Sequence, residues 1–208
     1  MKTRRAFLLS CATAVPAIAT AATAAKTLED RPAIRTCPRA TGGPNAKRFP
    51  QVLVRDQFKE QAWFYQELIE NKIALVSFAS AKGDAYYPII SNLVKVQDML
   101  KDRLGKDVFM YTVTTNPYQD TPETLKKLAD QHGANWRFLS GDPDSIRQIL
   151  DAFYVRGTID GLMWIGNERI GRWASIPSRQ HPLFIAEVVA RLSTGKHYKP
   201  FLVDMHSV

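Results

Sequence analysis

Leu162-Met163-Trp164-Ile165, then Gly166-Asn167-Glu168-Arg169-Ile170-Gly171, then Arg172-Trp173-Ala174-Ser175-Ile176 read in succession as strand, glycine-bounded turn and strand. β-Branched and aromatic residues on either side of such a turn predict an antiparallel hairpin. Upstream, Ile73-Ala74-Leu75-Val76-Ser77-Phe78 is a compact apolar run, the pattern of a central strand covered on both faces. Val108–Thr114 and Trp136–Leu139 predict further strands, and Gln51–Val54 a short first one. Helices are expected between them. Ala62–Glu70 predicts a short one, and Ile89–Leu104 a longer one with Leu93, Val96, Leu100 and Leu104 on one stripe and Gly105 at its end. Asp120-Thr121-Pro122-Glu123 opens another: a capping side chain, proline in the first turn, and an acid at the positive dipole end. Gly133 closes it. Asp142-Pro143 starts a helix to about Phe153, and Pro182–Leu192 forms a closing one.

The order β-α-β-α-β-α-β-β-α defines an α/β chain. Strands joined through helices imply parallel pairing, and the hairpin adds antiparallel strands. A thioredoxin-like mixed sheet flanked by helices, with a C-terminal β-hairpin and closing helix, fits this order. A flavodoxin-like sheet fits nearly as well, and the hairpin favours the former.

With 208 residues the chain has room for one such domain and peripheral segments. Its first residues read as an export signal. Thr3-Arg4-Arg5-Ala6-Phe7-Leu8-Leu9 sets paired arginines before an Ala/Thr-rich stretch to about Ala25, and Ala22-Thr23-Ala24 suits a signal peptidase. Twin arginine followed by Phe-Leu resembles the signal of the Tat pathway, so a periplasmic location is expected. Pro16 and the modest hydropathy argue against a membrane anchor, so no membrane span is expected after signal removal. A lipoprotein reading of Cys11 fails because the apolar stretch continues beyond it. The chain then divides into signal peptide (1–25), extended Pro- and Gly-rich arm (26–50), domain (51–195) and tail (196–208).

The formal charge is +8, and removing Lys2, Arg4 and Arg5 with the leader leaves about +5. Basic residues alternate with acids, as in Lys95, Asp98, Lys101, Asp102 and Arg103, which describes a solvated face and no nucleic-acid partner. Cleavage near Ala24 would remove Cys11 and leave Cys37 as the only thiol, excluding an internal disulfide or a paired-cysteine redox site.

Asn92-Leu93-Val94-Lys95-Val96-Gln97, Arg103-Leu104-Gly105-Lys106-Asp107-Val108-Phe109-Met110-Tyr111, Asp120-Thr121-Pro122-Glu123 and Phe138-Leu139-Ser140-Gly141-Asp142-Pro143 recur in that order. Together they closely resemble the Sco/SenC family, thioredoxin-like proteins associated with copper delivery to cytochrome c oxidase. The resemblance spans about residues 36–192 and implies a copper site of two cysteines, spaced CxxxC after the first central strand, and a distant histidine. Here the loop reads Ala79-Ser80-Ala81-Lys82-Gly83-Asp84-Ala85-Tyr86-Tyr87-Pro88. Counting from Phe78 places the cysteine positions on Gly83 and Tyr87; counting back from Asn92 places them on Lys82 and Tyr86. The histidine position falls near Ile159. A phenol, protonated near neutral pH, does not replace a Cu(I) thiolate. The resemblance, with these departures, implies a protein without copper or other cofactor and without catalysis, serving as an interaction or accessory protein for a periplasmic partner in respiratory or copper-enzyme assembly.

Other candidates remain. Cys37, flanked by Arg35 and Arg39, is a candidate reactive thiol, though a merely tolerated cysteine explains it better. Cys37, His197, Met205 or His206 would be the donors of a relocated copper site, at spacings that match no defined one. Tyr86, Tyr87 and Pro88 form a candidate partner surface, against the alternative that the rings fill the vacated site. Asp120, Glu123, Asp142 and Asp144 are expected as helix-start residues, and His132 and His181 as isolated ones.

Overall fold

The chain divides into two units, 1–36 and 37–208. The computed structural model describes residues 42–157 and 161–196, all in the second. The leader, Cys11, Cys37, Ile159, Tyr198, His197, Met205 and His206 lie outside the described residues.

Seven strands form one sheet: β1 (Leu53–Asp56), β2 (Gln61–Trp63), β3 (Ile73–Ala79), β4 (Val108–Thr114), β5 (Arg137–Gly141), β6 (Leu162–Asn167) and β7 (Arg172–Pro177), in the order β2-β1-β5-β4-β3-β6-β7. Helices are α1 (Ala81–Asp84), α2 (Ile90–Leu100), α3 (Pro122–His132), α4 (Pro143–Ala152) and α5 (Pro182–Ser193). β3 is buried along its whole length. Its alternate residues serve two cores: Ile73 and Leu75 pack with α2, α3 and α5, while Ala74, Val76 and Phe78 face α4 and the segment before β3. β3 pairs in parallel with β4 and antiparallel with β6, and β6 with β7 forms the expected hairpin. This is the mixed, thioredoxin-like arrangement.

Three features depart from the local sequence pattern. Residues 62–70 are not one short helix: Gln61–Trp63 joins the sheet as β2, and Phe64–Ile69 makes a π-helical turn. Phe64, Tyr65, Leu68 and Ile69 are buried, and the Glu70 amide donates to Tyr65 O five residues back, the spacing of the wider turn. β1 is not parallel to its neighbours: a tight turn at Asp56–Glu60 folds it back antiparallel onto β2, and it also pairs antiparallel with β5. Residues 43–49 are not extended either. They form a hydrogen-bonded turn in which Asn45 O accepts from the Arg48 and Phe49 amides, and Phe49 is buried in the second core.

Helix boundaries follow their caps. Thr121 Oγ1 accepts from Thr124 N, Pro122 occupies the first turn and Gly133 ends α3 at φ 69°. Asp142 caps α4 through Ser145 N, as expected. α2 stops at Leu100, before the predicted Leu104, and Gly105 completes the turns beyond it at φ 76°.

Candidate functional site

The carboxyl end of β3 runs into Ser80–Pro88, the loop where the family resemblance places a pair of cysteines. Ser80 Oγ accepts from Gly83 N at 2.9 Å and starts the single turn α1. Two buried carboxylates hold that turn. Asp120 accepts from Thr114 Oγ1 at 2.5 Å and lies 3.3 and 3.4 Å from Ala81 N. Asp84 Oδ1 accepts from Ile89 N and Ile90 N, the first amides of α2, at 3.0 and 3.2 Å. Its Oδ2 lies 3.0 Å from His132 Nε2 at the end of α3. The loop is therefore tied to β4, α2 and α3 at once.

These contacts correct two expectations. Asp120 is not the cap of α3. Proline at the first helical position makes the residue before it the cap, so Thr121 takes that role and Asp120 turns inward. His132 is not isolated but pairs with Asp84, and His181 caps α5 by accepting from Leu183 N at 3.3 Å. Glu123 and Asp144 do sit in first turns.

Burial pushes the Asp120 carboxyl above the usual carboxylate range, against the hydrogen bonds from Thr114 and Ala81. A carboxyl whose folded value is raised stabilises the fold below its unfolded value, about pH 4, and that contribution is lost as pH rises through the folded value. Asp120→Asn, which cannot ionise, should therefore gain stability relative to the wild type between pH 4 and 7. Urea midpoints at both pH values measure this, and a wild-type–variant difference independent of pH would contradict it.

The two tyrosines have separate fates. Tyr87 is partly buried against the core, with the Arg179 guanidinium 5.0 Å from its ring centroid. Its hydroxyl lies so close to Gly161 that a Cβ there would be 3.2 Å away. Tyr87 thus fills the space between the loop and the strand entering the hairpin, while Tyr86 is 76% exposed.

The donors present do not suit copper. Lys82, Gly83, Tyr86 and Tyr87 offer neither sulfur nor imidazole, and the Asp84 carboxylate is occupied by two amides and His132. Among the described residues no three His, Cys, Asp or Glu side chains converge as a metal-holding group. A crevice of about 560 Å³ opens where β4 and β5 end, lined by Asp120, Thr121, Ser140 and Asp142 among others. Those side chains are already engaged: Thr121 and Asp142 cap helices, and Ser140 Oγ donates to Asp120 O.

The fold, with its buttressed loop after the first central strand, is that of a thioredoxin-like protein. The SCO1/SenC family model matches residues 63–161, which include that loop. No curated protein sequence matches it. Solved structures share the fold. Arabidopsis thaliana ScoI with copper bound matches at TM-score 0.58 and 12% identity, over 69% of this chain and 96% of that one. Bradyrhizobium japonicum ScoI with copper bound matches at TM-score 0.52 and 20% identity, over 67% and 96%. Yeast Sco1 matches at TM-score 0.57 and 12% identity, over 69% and 96%.

Proposed function

We propose that this chain is an exported Sco/SenC-family protein that has no copper or thiol site, and acts as a non-catalytic interaction or accessory protein in the assembly of a respiratory copper enzyme. One observation carries the reading. The loop of the family's cysteine pair has no sulfur and is built as a rigid platform, with Tyr87 turned in, Asp84 and Asp120 holding its ends, and Tyr86 presented to solvent. Buried carboxylates and filled space favour a fixed surface for a protein partner over a loop that opens to pass a metal or an electron pair. The twin-arginine leader supports folding before export and a periplasmic partner.

Anaerobic Cu(I) titration of the purified chain tests the first half. No stoichiometric binding is expected in competition with a Cu(I) chelator. Tight one-to-one binding lost in Cys37→Ser would overturn the reading in favour of a relocated site, and thiol–disulfide turnover lost in that variant would make the chain a single-thiol redox protein. Complementation of a deletion strain tests the second half. Cys37→Ser should restore oxidase activity as the wild type does, whereas Tyr86→Ala, on an exposed side chain that packs nothing, should not.

A further inference from the structure

Beside the mouth of the sheet, a groove of about 810 Å³ runs between α2 and the turn that enters α5. Lys95 and Met99 of α2 form one wall, and Arg179, His181 and Pro182 the other. We infer that this groove docks an acidic segment of a partner protein, one carrying an apolar side chain between its carboxylates. The inference rests on the reading of the chain as an interaction protein and adds the chemistry of what it binds.

Three observations carry it. The walls are fixed before any partner arrives. Asn92 Nδ2 on α2 donates to Ser178 O and Gln180 O at 3.1 and 2.9 Å, pinning the opposite wall. His181 is held as the cap of α5, and the Arg179 guanidinium rests on the Tyr87 ring. A preformed groove spares a ligand the entropy of ordering its site.

The charge is unbalanced. Lys59, Arg103, Lys126, Arg137 and Arg191 each find a carboxylate on this chain. Lys95 and Arg179 make no ion pair among the described residues, and Asp98 is the one acid in the lining. Two cations in the lining of one groove complement carboxylates on a partner. The Arg179 contact also ties the groove to the loop that presents Tyr86.

The otherwise polar groove carries two apolar side chains, Met99 and Pro182. Met99 is 49% exposed, and beyond Pro182 the first turn of α5 shows Leu183 at 63% and Phe184 at 43%. Exposed large apolar side chains beside charged ones are a feature of protein-binding faces. A methionine wall adapts to differing anchors.

The test is a titration of the ¹⁵N-labelled chain with a short synthetic peptide of glutamates around a Leu-Phe pair. A second peptide with glutamine in place of glutamate is the control. The acidic peptide should shift backbone amides of residues 92–99 and 178–184, and its binding should weaken as salt is raised. Lys95→Glu combined with Arg179→Glu should reduce affinity at least about tenfold, and Met99→Ser should reduce it without changing the salt dependence. Equal binding of the glutamine peptide, or shifts confined to other surfaces, would overturn the proposal. So would groove amides that move with protein concentration alone, because a second copy would then be the occupant. If the peptide fails while Tyr86→Ala still blocks complementation, only the groove assignment falls; if complementation is unaffected as well, the interaction reading falls with it.

Discussion

Glu168→Ala is expected to lower folding stability by about 3–5 kcal/mol, although the residue sits in a turn between two strands. Glu168 is 0% exposed, and no cation among the described residues pairs with it. Its charge is held instead by four donors: Asn45 N at 2.8 Å, Asn45 Nδ2 at 2.9 Å, Tyr65 Oη at 3.0 Å and Trp173 Nε1 at 2.8 Å. Truncation leaves those donors facing a small cavity without an acceptor, which costs more than the bonds contributed. The loss also releases the segment before β1, because Asn45 is its anchor and Phe49 its buried plug. Urea unfolding measures the first effect, and limited proteolysis near residues 42–50 the second. Glu168→Gln, which keeps one acceptor oxygen but adds a donor among donors, should fall between. A loss below about 1 kcal/mol would mean that these donors find other partners, and the carboxylate would not be the hub.

The same hub makes Gly166→Ala the second large effect. Gly166 pairs with Trp173 across the hairpin, and the indole lies flat over the glycine. An added Cβ would stand 2.1, 2.4 and 2.5 Å from Trp173 ring carbons, distances no packing adjustment short of moving the ring can relieve. Moving the ring pulls Nε1 from Glu168 and breaks its contacts with Phe49 and Phe153, at centroid separations of 4.9 and 5.6 Å. Overpacking combined with a lost bond to a buried charge sets the expected cost at about 3 kcal/mol or more. Because both substitutions act through Trp173, the double variant should lose less than the sum of the singles. Additive losses would show that the two sites are independent. Tryptophan emission should shift to the red in Gly166→Ala, as Trp173 gains water.

Neither effect was legible in the chain. Asn167-Glu168-Arg169 reads as an ordinary polar turn, and Asn45 as part of a Pro- and Gly-rich arm. They are 123 positions apart, and only the closed sheet brings them together. The mouth of the sheet is a mixed case. Proline after Thr121 is enough to make Thr121 the cap and to leave Asp120 for another role. The partnership of Asp84 with His132 had no local sign, since a lone acid and a lone histidine in sequence look alike whether they meet or not. The π-helical turn at Phe64–Ile69 was hidden for a related reason. Local pattern reports the spacing of apolar residues, and over six residues an α and a π turn bury nearly the same positions.

The α/β class, the central strand, the hairpin and the helix starts at Pro122, Pro143 and Pro182 were determined by the sequence alone, because hydrophobic period and capping chemistry act over a few residues. So was the absence of sulfur between Ala79 and Pro88, a covalent fact that no folding alters. The tertiary structure decided what occupies that loop instead. Which tyrosine turns inward, which carboxylates are buried, and which cations are left unpaired depend on distant segments meeting, and burial and pairing energies exist only once those segments are in contact.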